Sequence, residues 1–143
     1  MSKLTDEAAQ AGIDSFMATF GRFPEQFALL HQHAPAAFAG YGLMRNAVMQ
    51  DRPQGALDLK TKELVFALLD TLGGNRQGAE NHAKAAVKLG LTVPELAEGL
   101  IQVIMVGGIT TWNMVGQHVL RACLPQAPDE PDGGAGEAGG GPG

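Results

Sequence analysis

The sequence predicts an all-helical fold, a compact bundle of about six to seven helices that associates into oligomers. Apolar residues recur at helical spacing, and the segments that carry them are bounded by helix-capping residues, glycines and prolines. No segment alternates apolar and polar residues between hairpin turns, as a half-buried strand would. The length of 143 residues fits one domain, and 45% hydrophobic residues are enough for a core.

The N-terminal part is punctuated into three predicted helices. Thr5 is placed to cap the first helix, and Gly21 is placed to end it. Pro24 lies where a proline begins a helix, and Pro35 is predicted to end that short second helix. A third helix is predicted for about residues 36–50, and a loop follows it.

The rest of the domain contains four further predicted helices. Asp58 is placed to cap the fourth, which stops at the Gly73–Gly74 pair, and the fifth covers about residues 76–89. Thr92-Val93-Pro94-Glu95 is a capping box that opens the sixth. The second half of the sixth helix is apolar on nearly all sides, which predicts a central position. The last helix is predicted for about residues 109–124.

Composition indicates the limits of the domain and disfavours several classes of function. Residues 1–124 form the predicted domain, and residues 125–143, which contain no aliphatic side chain larger than alanine, are predicted to be a flexible tail. The net charge of −5 and the scattered Lys and Arg residues disfavour a nucleic-acid partner. No apolar run approaches the ~20 residues of a membrane span. Because no apolar signal segment opens the chain, we expect a cytoplasmic protein.

His82 is the first candidate for acid–base chemistry. On a helical wheel it lies in the middle of the face that should pack inward, among small residues such as Ala79, Ala85 and Ala86. A half-buried imidazole surrounded by small neighbours suits a general acid or base. The alternative from spacing alone is a core histidine bonded to a backbone carbonyl.

Glu63 is the second candidate. It lies opposite the apolar stripe of its helix and shares a face with Ala67 and Asp70. From spacing alone, this face is predicted to be solvated or to face another subunit.

Other residues give weaker signals. Trp112 and Met105 are candidates for a substrate pocket, although their helical spacing is also that of core residues. His31 and His33 do not share a helix face and so do not form a helical metal pair. We therefore predict no metal site. The single cysteine, Cys123, is more typical of a small buried side chain than of a nucleophile.

Residues 59–100 resemble the core of the carboxymuconolactone decarboxylase-like proteins, which include the alkylhydroperoxidase D type. The resemblance lies in K-x-K-E-L, a helix break, the histidine of N-H-A-K-A-A, and G-L-T-x-x-E-L-x-E. The flanking LLHQHAPAAFAGYGLMRNAV and MVGGITTWNMVG are also similar to that family. The resemblance implies an all-helical protein that forms trimers or hexamers, with sites at or near subunit contacts.

The same resemblance places Glu63 and His82 at the acidic and histidine positions of the family's peroxidase branch. The two cysteine positions of that branch are Asn75 and Gly78 here, so a dithiol mechanism is excluded at this site. The decarboxylase branch has no redox thiols but usually has a glutamate where this chain has Gly78. The Asn75 amide is a candidate group for holding a substrate carboxylate.

Together these observations favour a cofactor-free lyase or isomerase acting on a small carboxylated lactone, of the kind formed in aromatic breakdown, or on a related metabolite. His82 would move a proton and Glu63 would orient or charge-stabilise it. The alternative, from another functional class, is a catalytically silent oligomeric binding or scaffold protein on the same fold. Thiol-dependent peroxide reduction is disfavoured.

Overall fold

Residues 2–125 are described by a computed structural model and contain helices and connecting loops, without a strand. The all-helical prediction is therefore confirmed. The helices are α1 (Lys3–Phe20), α2 (Glu25–His33), α3 (Pro35–Val48), α4 (Leu59–Gly73), α5 (Arg76–Lys88), α6 (Val93–Gly107), α7 (Ile109–Thr111) and α8 (Gln117–Cys123), with a π-helical turn at Trp112–Gly116 between α7 and α8. The predicted tail, apart from Pro125, lies outside the described residues.

Two side-chain caps that were predicted from sequence are present. The Asp58 carboxylate accepts a hydrogen bond from the Thr61 backbone N–H at 2.8 Å and so begins α4. At the start of α6, the Thr92 hydroxyl accepts from the Glu95 N–H, and the Glu95 carboxylate accepts from the Thr92 N–H. These local contacts fix the N-terminal ends of α4 and α6, the helices that precede and follow α5 in the chain.

The first helix begins earlier than predicted. Ser2, and not Thr5, is its cap: the Ser2 hydroxyl accepts from the Thr5 N–H at 3.2 Å, and α1 starts at Lys3. Gly21 ends α1 in a left-handed conformation, as predicted. Pro35 does more than end α2, since it is also the first residue of α3, where its fixed φ favours a helix and no N–H is needed.

α1 and α3 cross at a pair of glycines. A Cβ added to Gly12 would lie 2.5 Å from the Gly42 Cα, and a Cβ added to Gly42 would lie 2.8 Å from the Gly12 Cα. Only residues without a side chain permit this approach. The close crossing brings the inward faces of the two helices, with Phe16 and Arg45, against each other.

The buried side chains form two clusters. The smaller one, from α1 and α3, is aromatic and contains Phe16 and Phe38. The larger one, from α4, α5, α6, α8 and the intervening segments, is built from alanine, leucine and valine: Ala67, Ala79, Ala83, Ala86, Leu91, Leu96, Leu100, Val115 and Val119. Alanines on α4 and α5 let these two helices pack closely, so that polar side chains on their facing surfaces come into contact.

The prediction that α6 is central is wrong for the single chain. Leu96, Leu100 and Val103 are buried, but Met105 is 80% exposed and Val106 is 81% exposed. One face of α6 packs on the larger cluster, and the other faces outward. None of the helices within residues 2–125 is both long and apolar enough to cross a membrane.

Candidate active site

A cleft of about 680 Å³ is lined by residues of α1 to α5 and includes side chains of the smaller, aromatic cluster. α1, α2 and α3 provide one wall, and α4 and α5 provide the other. This volume is in the range of small-molecule sites. The lining combines five aromatic rings with polar and charged side chains. The aromatic residues are Phe16, Phe20, Phe27, Tyr41 and Phe66, and the polar and charged residues include Arg22, Gln26, Arg45, Asp70, Asn75, Gln77, Asn81 and His82.

His82 on α5 and Glu63 on α4 are in direct contact, with 2.6 Å between His82 Nδ1 and Glu63 Oε2. The Glu63 side chain is only 1% exposed, and that of His82 is 14% exposed. The spacing-based prediction that Glu63 lies on a solvated or subunit-facing surface is therefore wrong. Its face of α4 is covered by α5, and the imidazole supplies the hydrogen-bond partner that a buried carboxylate requires.

This contact gives the two ring nitrogens different roles. A neutral imidazole donates through one nitrogen and accepts through the other. When Nδ1–H donates to the Glu63 carboxylate, Nε2 retains its lone pair and can accept a proton. The Glu63 carboxylate then stabilises the imidazolium that forms, as carboxylates do in other histidine–carboxylate pairs. The pair can therefore take up and return a proton at one defined atom.

Asp70 lies on the Nε2 side of the ring. Its Oδ2 is 3.9 Å from His82 Nε2, and its side chain is 28% exposed. Burial raises the pKa of the Asp70 carboxyl, while His82 and the Asn75 side chain act in the opposite direction. Gly78 makes room for this carboxyl, because a Cβ at Gly78 would overlap Asp70 Oδ2 and the Asn75 amide nitrogen.

Two aromatic rings hold the imidazole in place. Phe66 on α4 stacks on the His82 ring, with centroids 5.0 Å apart and planes inclined by 26°. Phe20 on α1 meets the same ring edge-on at 5.2 Å. Such contacts restrict rotation of the ring. Together with the hydrogen bond between Nδ1 and Glu63, these two rings keep Nε2 directed toward Asp70.

Arg45 on α3 is a cleft residue that the sequence analysis missed. Its side chain is buried, its Nη1 donates to the Ser15 hydroxyl at 2.6 Å, and its guanidinium lies 4.0 Å from the Phe16 ring centroid. Burial lowers the pKa of the Arg45 guanidinium, whereas Tyr41 and Glu63 act to raise it. A sequence signal existed: Arg45 follows Phe38 and Gly42 at helical spacing, on the inward face of α3.

The structure brings only some of the predicted binding residues to this cleft. Asn75 lines the cleft and also caps α5, since its side-chain oxygen accepts from the Gly78 N–H. Trp112 packs against the larger core cluster, and Met105 is exposed on α6, so neither lines the cleft. Cys123 also packs on that cluster, and burial raises the pKa of its thiol.

No three His, Cys, Asp or Glu side chains within residues 2–125 are arranged to hold a metal ion.

The chain is similar to a known protein family and to a solved structure. The sequence profile of the carboxymuconolactone decarboxylase family matches residues 35–115, a range that contains Arg45, Glu63 and His82. A crystal structure of a Burkholderia xenovorans LB400 protein, which carries the provisional name carboxymuconolactone decarboxylase, is similar with a TM-score of 0.75. The two chains are 30% identical, and the match covers 82% of this chain and 90% of that one. The comparison with curated proteins gives no significant match.

Proposed function

Because the chain belongs to the carboxymuconolactone decarboxylase family, we propose that it is an acid–base enzyme, a lyase or isomerase that acts on a small carboxylated lactone or a related metabolite without a cofactor. The observation that carries the proposal is the orientation of His82. Its Nδ1 is bonded to a buried carboxylate, and the ring lines a cleft of small-molecule size. That geometry suits a group that moves protons to and from a bound ligand.

For a carboxylated lactone, the proposed reaction is a decarboxylation. The bond between the ring carbon and the carboxylate breaks, CO₂ leaves, and the electron pair is taken up by the conjugated lactone. A proton on His82 Nε2 is then delivered to carbon, and Nε2 regains a proton from solvent before the next turnover. Glu63 keeps the ring oriented and stabilises its charged form. In an isomerisation, Nε2 removes a proton from one carbon and returns it to another.

The arrangement of the cleft argues against thiol-dependent peroxide reduction. The positions that carry cysteines in the family's peroxidase branch are Asn75 and Gly78, and both line the cleft without a sulfur atom. Cys123 is outside the cleft lining, and a raised thiol pKa lowers the fraction of reactive thiolate.

We also propose that the chain forms a trimer or hexamer through the outward face of α4 and α6. Exposed apolar side chains on these two helices include Leu69 on α4 and Ile101, Met105 and Val106 on α6. Large apolar side chains that are exposed in the single chain are typical of a protein–protein contact.

The proposed function is tested by a spectrophotometric decarboxylation assay on γ-carboxymuconolactone with wild type and His82→Gln. Glutamine can still donate a hydrogen bond to Glu63, so the fold is expected to persist, but its amide cannot take up and release a proton as an imidazole nitrogen does. We expect turnover by the wild type and a loss of about 100-fold or more in the variant.

The matched control is His118→Gln, which removes a histidine of α8 that does not line the cleft. This control should retain wild-type turnover. Failure of the folded wild type to turn over the lactone would contradict the proposed reaction and favour a silent binding protein on this fold. Equal rates for wild type and His82→Gln would contradict the assigned role of His82.

A further inference from the structure

We propose that Arg45 determines the ligand specificity of the cleft. Its guanidinium receives the carboxylate of a ligand, so that the cleft selects small anions with a flat ring over their neutral counterparts. The inference rests on the proposed function for the identity of the cleft as the substrate site. The choice of Arg45 rests on its own contacts.

The first observation is that the hydrogen-bonding capacity of Arg45 is only partly used. A guanidinium has five N–H donors on three nitrogens. Among the described residues, Nη1 donates to Ser15 and lies 3.5 Å from the Thr19 hydroxyl, whereas Nε and Nη2 have no protein partner. No buried side-chain nitrogen within residues 2–125 lacks a partner. Nε and Nη2 of Arg45 are therefore not completely buried, and Arg45 is one of the residues that line the cleft.

The second observation is that Arg45 is 92% buried without a carboxylate at ion-pair distance. Within residues 2–125, the ion pairs closer than 4 Å do not include Arg45. Glu63 acts on it from farther away and is already bonded to His82. Burial of a cation is costly unless it is paired, so a ligand carboxylate would supply the missing charge. Nε and Nη2 form the fork that binds a carboxylate through two parallel hydrogen bonds.

The third observation is the limit on the distance between Arg45 and His82. Both groups contact Phe20, whose ring centroid is 5.4 Å from the Arg45 Cζ and 5.2 Å from the His82 ring centroid. The two groups therefore lie at most about 11 Å apart, and hydrogen bonds at each end reduce the gap that a ligand must span to at most about 5 Å. A single five- or six-membered ring with a carboxylate has this length.

The fourth observation is the aromatic character of the wall beside Arg45. Phe27 and Tyr41 are stacked, with centroids 5.3 Å apart and planes inclined by 10°, and the Phe16 ring is 4.4 Å from that of Phe27. A flat unsaturated ring can pack on such a wall, whereas its carboxylate needs the cation. The cleft thus combines an apolar surface with one buried positive charge.

The test is calorimetric binding of benzoate and of its neutral analogue benzamide to the full chain. We expect the wild type to bind benzoate about 10- to 100-fold more tightly than benzamide, as charge-assisted hydrogen bonds predict. Arg45→Gln should remove this preference, and Arg45→Lys should retain part of it. Arg121→Gln is the matched control, because it removes the same charge from an exposed position outside the cleft lining.

Because Arg45 packs on Phe16, the Arg45→Gln variant is first checked for helicity and cooperative unfolding. Should it fail to fold, the NMR signals of the arginine Nε–H groups in the wild type provide the test. A shift of the Arg45 signal on addition of benzoate, but not of benzamide, supports the proposal. Equal affinities of wild type for the two probes, or no benzoate binding, would overturn it.

Because these binding measurements need no turnover, the proposed reaction and the proposed role of Arg45 can be refuted independently of each other. Benzoate preference without decarboxylation would contradict the proposed reaction alone. Decarboxylation without a preference that depends on Arg45 would contradict the role of Arg45 alone.

Discussion

Substitution of Gly42 by alanine tests the helix crossing on which one wall of the cleft depends. The new Cβ would lie 2.8 Å from the Gly12 Cα and 3.3 Å from the Ala8 carbonyl oxygen, and all of the contacted atoms belong to the backbone of α1. Backbone atoms cannot rotate away, so α1 and α3 must separate. Overpacking of this kind costs about 1–3 kcal/mol, and the higher helix propensity of alanine offsets about 0.5–1 kcal/mol. The expected net destabilisation is about 1–2 kcal/mol.

Gly40→Ala provides an internal comparison two residues earlier on the same helix. A Cβ there meets nothing within 4 Å, so only the gain in helix propensity remains. We expect Gly42→Ala to lower the melting temperature by about 3–8 °C and Gly40→Ala to raise it by about 2–5 °C, measured by circular dichroism. A melting temperature for Gly42→Ala that equals or exceeds that of Gly40→Ala would refute the close crossing.

Three further predictions concern a carboxyl group, the thiol and the outward face. Because burial raises the pKa of Asp70 above its ordinary 3.8, its ionised form destabilises the folded chain. Asp70→Asn should therefore increase the free energy of unfolding at pH 7, and the difference between variant and wild type should vanish below about pH 3.8. Urea titrations in which this difference is the same at both pH values would contradict the prediction. Since burial raises the pKa of Cys123, iodoacetamide at pH 7 should alkylate it more slowly than free glutathione, and faster alkylation would contradict its burial. Met105→Glu should shift sedimentation toward the mass of the monomer, whereas Leu4→Glu, at an exposed apolar position on α1, should not; a wild type that sediments as a monomer would contradict the proposed oligomer.

The sequence was most informative where structure is decided locally. The caps at Asp58 and Thr92 depend on residues three positions apart, and both were predicted correctly. Gly21 was also identified as the end of α1, since its conformation is one that other residues rarely adopt. Ser2 was missed because Thr5, with acidic residues after it, has the same local signature of a cap.

Sequence reasoning failed where the outcome depends on long-range packing. Glu63 appeared to lie on a polar face because no local signal shows that α5 covers it. The π-helical turn at Trp112–Gly116 has no cap or breaker of its own. Met105 and Trp112 were named as pocket candidates with core packing as the alternative, and in the single chain neither lines this cleft. Arg45 was overlooked because a single charged residue on an apolar stripe was not weighed as a buried group.

The central claim is that His82 Nε2, oriented by Glu63, moves the proton in this cleft. The most direct test is the pH dependence of kcat/KM for γ-carboxymuconolactone in wild type and in His82→Gln. We predict a limb in the wild-type profile that disappears in the variant, together with a large loss of rate at every pH where the wild type is active. A variant with the same profile and the same rate as the wild type would contradict the claim.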